Sequence, residues 1–277
     1  MLKIKDLTFR YGRRSPAVLE GVDLHLDGGG VYGLLGRNGV GKTTLMYLMA
    51  GALTPCRGSV ELDGVATRRR LPSTLSKLMV VTEETALPAL TLGEWARERS
   101  YYYPRWSAEL FGWICREFEL TADMRLDRLS TGVKKKAALA VALACRTELL
   151  MLDEPTNGLD LPSKDAFRRV LAKCADEERT ILVATHQIHD VERLLSHVII
   201  LDERGVVMSR SIGEVMATLR FDVSNNPEVI ASALWSRSGV GGTEVISLLS
   251  DPADETEVEL EMLFNYMSTR PENNPFI

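Results

Sequence analysis

The run GRNGVGKT, Gly36 to Thr43, has the residue types and spacing of a phosphate cradle. Its glycines let backbone N–H groups turn inward around phosphate oxygens. A helix starting there would add the favourable end of its dipole. Lys42 would reach the β- and γ-phosphates of a nucleotide, and the Thr43 hydroxyl would ligate Mg²⁺. The candidate nucleotide-binding residues are therefore Gly36, Arg37, Asn38, Gly39, Val40, Gly41, Lys42, Thr43 and Thr44.

A second run, ELLMLDEP from Glu148 to Pro155, places an apolar stretch before two acids. A buried strand of this kind would deliver Asp153 to its carboxyl end, where a carboxylate can hold Mg²⁺ opposite the phosphate cradle. Glu154, one residue on, would point the other way and could accept a proton from an attacking water. Alone, such a strand end is as readily a pair of solvated acids. The phosphate run upstream favours the metal and the base. Together the two runs establish a nucleotide-binding phosphate-loop protein and leave its class open.

The class comes from the surrounding residues. LSTGVKKK, Leu129 to Lys136, resembles the signature sequence of ABC ATPases. That resemblance implies that Ser130 and Gly132 bind the γ-phosphate held by an opposite subunit. The chemistry agrees, since Ser130 is a natural helix N-cap and Gly132 lets phosphate approach the first turn. NGLD, Asn157 to Asp160, is similar to that family's D-loop, which adds Asp160 to the nucleotide-binding candidates. His186, just after TILVAT, matches its switch histidine, placed to contact the γ-phosphate. With Lys42 and Glu154, His186 completes the catalytic set that the resemblance implies. Tyr11 falls where the family has an aromatic that stacks on adenine, although an ordinary packing or surface tyrosine also fits. The resemblance spans about residues 1–215, with the motifs in the family's order. YYPRW from Tyr102, LSTGVKKK and ELEMLF look like one bacterial branch. Its members pair with multi-span export-type permeases and are often encoded beside GntR-type repressors.

Two positions depart from the family pattern. Thr131 and Val133 stand where the signature usually has Gly and Gln. After KLMVV the family usually has a glutamine that contributes to the metal site, and the best alignment puts Glu83 there.

Several elements must position these residues. Residues 2–9 and VDLHLD from Val22 alternate apolar and polar, which predicts half-buried strands at a sheet edge. VYGLL predicts a buried strand feeding the glycine-rich turn, and TTLMYLMAG the helix after it, ending at Gly51. SVELDG and KLMVVT predict strands, the first closed by an Asp-Gly turn. Thr91 and Glu94 form a capping box, and a second helix is predicted over about 107–119. We place an inserted helical subdomain over about 84–131. Helices are predicted over 131–145, 162–177 and 188–195, alternating with strands ELLMLD, TILVAT and HVIIL. This pattern argues for an α/β phosphate-loop fold with a mainly parallel sheet core and an antiparallel β portion. Residues 1–218 form the expected nucleotide-binding domain and 219–277 a small C-terminal appendage. In the appendage, SNNP and SGVGG read as turns and ETEVELEMLFNYM as a short strand and a helix. Its apolar face would be built around Val258, Leu260, Met262, Leu263 and Phe264.

The chain has 277 residues, 45% hydrophobic and 26% charged, enough for one large domain with an addition. A net charge of −5 gives no reason to expect nucleic-acid binding. Cys56, Cys115, Cys145 and Cys174 are scattered, without a C-x-x-C pair, which favours free thiols in a reducing cytosol. The N-terminus has no signal-peptide pattern, and AALAVALAC is too short to span a bilayer. The expectation is an ATP- and Mg²⁺-dependent ATPase working as a head-to-tail dimer, with itself or a similar subunit. It would sit at the cytoplasmic face of the membrane beneath a separate permease, an exporter. His25, His189 and His197 lack a motif and read as structural or solvated. A soluble ABC-type ATPase serving as a regulatory or ribosome-associated module ranks below this. Such ribosomal proteins usually carry two cassettes and a charged linker, and a binding module without turnover would not need Glu154 and His186.

Overall fold

A computed structural model describes every residue except 85, 204, 240, 270–273 and 277. The chain opens with β1 (Leu2–Phe9) and β2 (Leu19–Leu26), an antiparallel pair, followed by β3 (Gly30–Leu35). Helix α1 (Lys42–Met49) leads into β4 (Arg57–Leu62) and β5 (Val65–Ala66). Asp63 and Gly64, both at positive φ, make the turn between these two strands. The order β2-β1-β4-β5 makes β1 an interior strand of this sheet, not an edge. Its alternation reflects one apolar face, which is also what an edge strand displays.

The short α2 (Pro72–Leu75) precedes β6 (Leu78–Val81). Two helices follow, α3 (Leu92–Ser100) and α4 (Ala108–Glu117). Each begins on a side-chain cap: Thr91 and Glu94 bond reciprocally, and the Ser107 hydroxyl accepts from the Leu110 N–H at 3.1 Å. Helix α5 (Thr131–Ala144) returns the chain to β7 (Leu149–Asp153), and α6 (Leu161–Cys174) connects to β8 (Thr180–Thr185). Then come β9 (His197–Asp202), β10 (Gly205–Ser211) and α7 (Ile212–Met216). The second sheet has the order β10-β9-β3-β8-β7-β6, parallel except for β10. Every residue of β7 and β8 is buried, as a parallel strand covered on both faces requires.

The segment expected as a helix over 188–195 is two single 3₁₀ turns, Ile188–Asp190 and Glu192–Leu194. Between them Val191, at φ −135°, breaks any continuous helix.

The last part of the chain contributes β11 (Leu219–Ser224), α8 (Pro227–Ser232), β12 (Trp235–Gly239), β13 (Gly242–Leu248) and α9 (Leu260–Ser268). The three strands form an antiparallel sheet, β11-β13-β12. The strand expected just before α9 is absent. Thr256 instead meets β11 through its side chain, its hydroxyl accepting from the Phe221 N–H at 2.9 Å. Leu260, Met262 and Leu263 of α9 are buried in the same apolar cluster as Ala137–Leu143 of α5 and Phe167 of α6. A second cluster packs α1 between the two larger sheets, around Leu45, Met46, Leu34 and Leu24. Among the described residues, no helix is long and apolar enough to cross a membrane.

Candidate active site

Strands β3, β8 and β7 lie side by side, so the turns at their carboxyl ends converge. The turn after β3 carries Gly36–Gly41. Gly41 takes φ 111° as it enters α1, a conformation that a side chain would strain. The first intrahelical bond runs from the Leu45 N–H to the Gly41 carbonyl at 2.8 Å. The earlier N–H groups at this helix end thus face the turn, where an anion fits. Lys42 is buried, and its ammonium donates to the Gly36 carbonyl at 2.7 Å and the Arg37 carbonyl at 3.3 Å. Burial lowers the Lys42 pKa, and the charges of Glu154 and Asp153 oppose that shift.

The Thr43 hydroxyl donates to Asp153 Oδ2 at 2.6 Å, across the gap between the β3 turn and the end of β7. These are two hard oxygen donors beside the phosphate turn, a donor set that suits Mg²⁺ completed by phosphate oxygens. Burial raises the Asp153 pKa, the Thr43 hydrogen bond lowers it, and the negative charges of Glu154 and Glu83 raise it further. A cation at this position would reverse that penalty.

Glu154 adopts φ 45°, a left-handed conformation that costs a non-glycine residue about 1–3 kcal/mol. Backbone bonds pin it: its N–H donates to the Ala184 carbonyl at 2.8 Å, and its carbonyl accepts from the Asn157 N–H at 3.2 Å. The twist carries the carboxylate towards the end of β8. There it accepts from the Thr185 hydroxyl at 3.1 Å and the His186 N–H at 3.1 Å. His186 Nδ1 lies 2.8 Å from Glu154 Oε1. Lys42, Thr43, Asp153, Glu154 and His186 are thus gathered into one site.

The other candidates are distributed around it. Tyr11 is 65% exposed, and its hydroxyl shares a hydrogen bond with the Thr44 hydroxyl at 2.9 Å. Its ring stands edge-on to Phe9, leaving it at the rim of the phosphate turn. Glu83 accepts a very short hydrogen bond from the Asn157 amide and makes no hydrogen bond to Thr43 or Asp153 among the described contacts. Asp160 caps α6, its carboxylate accepting from the Ser163 N–H at 3.0 Å. Ser130 occupies the N-cap position of α5, but its hydroxyl makes no capping bond, contrary to the capping role expected from sequence. Gly132 packs against the loop after β7, where an added Cβ would stand 3.3 Å from the Gly158 carbonyl oxygen. Neither Ser130 nor Gly132 bonds to the phosphate turn of its own chain among the described residues.

The ABC transporter family model matches residues 19–157. The chain belongs to the ABC transporter family. The bacitracin transport ATP-binding protein BcrA of Enterococcus faecalis is 30% identical over 81% of this chain and 75% of its own length. The Nod factor export ATP-binding protein I of Cupriavidus metallidurans is 29% identical over 96% of this chain and 86% of its own. The ABC transporter ATP-binding protein YtrB of Bacillus subtilis is 26% identical, covering 72% and 68%. A solved ATP-binding subunit of an ABC transporter superposes with a TM-score of 0.66 at 26% identity, over 78% of this chain and 91% of that one. This ABC protein is an ATP-binding transporter subunit with ATPase activity.

Sequence motifs did not single out every residue of this ABC site. Lys135 is buried, and its ammonium donates to the Glu154 carbonyl at 3.0 Å and the Asn157 carbonyl at 2.8 Å. It lies in the run KKK, to whose lysines the sequence motifs assign no separate role. The available signal was helical spacing: Lys135 shares a face with Ala138, Leu139 and Ala142. The C-terminal helix also reaches the site. A cavity of ≈ 680 Å³ beside the phosphate turn runs from Gly36, Arg37 and Asn38 past His186 to Glu261, Phe264 and Asn265 of α9.

Proposed function

We propose that two such chains, or one and a similar subunit, close head to tail over two ATP molecules. Hydrolysis would then power a separate transmembrane permease, in the export direction. The observation that carries this reading is the division of the candidate residues. One chain gathers Lys42, Thr43, Asp153, Glu154 and His186, whereas Ser130 and Gly132 sit apart at the start of α5 with the serine hydroxyl uncommitted to a cap. A second chain would bring that helix end to the γ-phosphate.

In the closed pair, Lys42 turns from its loop carbonyls to the β- and γ-phosphates, and Tyr11 offers its ring to adenine. Mg²⁺, held by Thr43 and Asp153, would draw charge from the bond that breaks. Water attacks the γ-phosphorus and passes a proton to Glu154, leaving ADP and phosphate. His186 orients the Glu154 carboxylate and meets the γ-phosphate.

Glu83 is the residue whose charge sets this site apart from a glutamine-bearing one. Glu83→Gln retains an oxygen for the Asn157 amide and removes one negative charge near the triphosphate. The variant should bind ATP more tightly than the parent in EDTA. The expected factor is about two- to twentyfold, the scale of one pair of unit charges at roughly 10 Å with an effective dielectric of 20–80. With Mg²⁺ the difference should shrink or reverse. Nucleotide titrations with and without Mg²⁺ test this, and identical curves in both would remove Glu83 from the mechanism.

The permease would dock on the groove between the sheet and the helical part. This groove, ≈ 400 Å³, is lined by Leu75, Met79, Val81, Trp95, Tyr103 and Ala138 and carries Arg70 and Arg99. Tyr101 and Tyr102 stand exposed next to it. Trp106 packs into the apolar cluster against Phe111, which leaves it to stability more than docking. Placing a charge at the exposed rim of the groove, as in Tyr102→Asp, should release the chain from the membrane fraction and leave ATP binding intact. A parent chain that sediments with ribosomes, or a variant that stays with membranes like the parent, would overturn this assignment.

A further inference from the structure

We propose that Lys135 is a positioning residue for hydrolysis, holding the backbone of Glu154 and Asn157 so that the signature helix and the base of the same chain move as one unit. The inference rests on reading Glu154 as the base. Lys135 is 7% exposed, in the second turn of α5, five residues beyond Ser130. Its ammonium bridges two carbonyls of the segment that follows β7, those of Glu154 and Asn157.

Two features make the bridge more than packing. Glu154 holds a left-handed backbone, and its carbonyl takes both the Asn157 N–H and the Lys135 ammonium. The strained residue is thus fixed from the helix side as well as from β8. Asn157, in turn, reaches Glu83 with its side-chain amide and Lys135 with its carbonyl. One cation therefore joins the start of the D-loop, the base and, through Asn157, the acid after β6. Burial lowers the Lys135 pKa, while Glu83, Glu154 and Asp153 favour its charged form. An ammonium whose charge interacts with three acids also offsets their mutual repulsion before any cation arrives.

The consequence is mechanical. The helix end that would meet the partner's nucleotide carries, on its buried face, the group that places the base of its own site. A shift of α5 caused by one nucleotide would be felt at the other site's Glu154. A small displacement of a base suffices for a large loss of rate, since about 1 Å can cost about 10²-fold.

The test compares Lys135→Arg, Lys135→Gln and Lys135→Met in the full chain, beside Glu154→Gln. ATP affinity should stay within about threefold of the parent in all three Lys135 variants. Hydrolysis at saturating ATP should fall about 10- to 10²-fold in the glutamine and methionine variants and recover in part with arginine, a loss in kcat rather than KM. A folded glutamine or methionine variant with parental kcat would overturn the proposal. So would arginine performing no better than methionine, or neutral variants that do not fold, either of which makes Lys135 merely structural. Parental turnover by Glu154→Gln would instead sink the underlying reading of the base. Impaired Glu154→Gln with unimpaired Lys135→Met would sink only the positioning role.

Discussion

Glu154→Gln should bind ATP like the parent yet hydrolyse it about 10²-fold or more slowly, because an amide cannot accept the proton of an attacking water. The substitution is mild in every other respect. Glutamine has the same length, and its oxygen can accept from the His186 N–H, which lies 3.1 Å from the carboxylate. The Thr185 hydroxyl can rotate to accept from the new amide. The left-handed backbone and its bonds to Ala184 and Asn157 do not involve the side chain. Binding should therefore persist, and ATP should accumulate in a closed dimer visible by size-exclusion chromatography with nucleotide. Phosphate release at saturating ATP decides the matter. Near-parental turnover in well-folded protein would remove Glu154 from the base role.

The legibility of this site in the sequence follows from how many constraints each residue meets. β7 and β8 are buried along their whole length and apolar except at Asp153, Thr180 and Thr185, because both faces are covered. The glycines of the phosphate turn follow β3 and the acids end the neighbouring β7, so type and place agree. Capping boxes are equally local, as at Thr91 and Glu94, and need no tertiary information. Lys135 was not legible, because one lysine in a row of three differs only in the helix face it occupies. Residues 188–195 have a helical pattern that the tertiary structure overrides: Val191 turns inward and is buried, and the chain breaks into two short turns. The C-terminal strands were obscure for a different reason. β12 is exposed along most of its length, so it shows no apolar alternation, and only its pairing with β13 makes it a strand. The cavity that α9 and the phosphate turn line together joins residues more than 200 positions apart, and no local pattern marks such a shared wall.

A mixture of Ser130→Arg chains with Lys42→Ala chains should hydrolyse ATP although each protein alone is nearly inactive. Arginine at Ser130 would fill the space at the start of α5 that a partner's γ-phosphate must enter. Lys42→Ala removes the buried ammonium that now rests on the Gly36 and Arg37 carbonyls and would move to phosphate. In a head-to-tail pair each site combines one chain's phosphate turn with the other chain's signature. A mixed dimer then has one site with both parts intact and one with both parts broken. Equal amounts assorting at random would give about a quarter of the parental turnover, provided a single site can fire. If each site belonged to one chain alone, no combination could restore activity, because every chain would carry its own lesion. Parental turnover by Ser130→Arg alone would end the shared-site reading outright. A silent mixture, with mixed dimers confirmed by differential tags, would instead mean that the two sites fire only together. That outcome fits a signature helix whose Lys135 holds the base of its own site, because a helix displaced by the Ser130→Arg change would then disturb Glu154 in the chain that carries it.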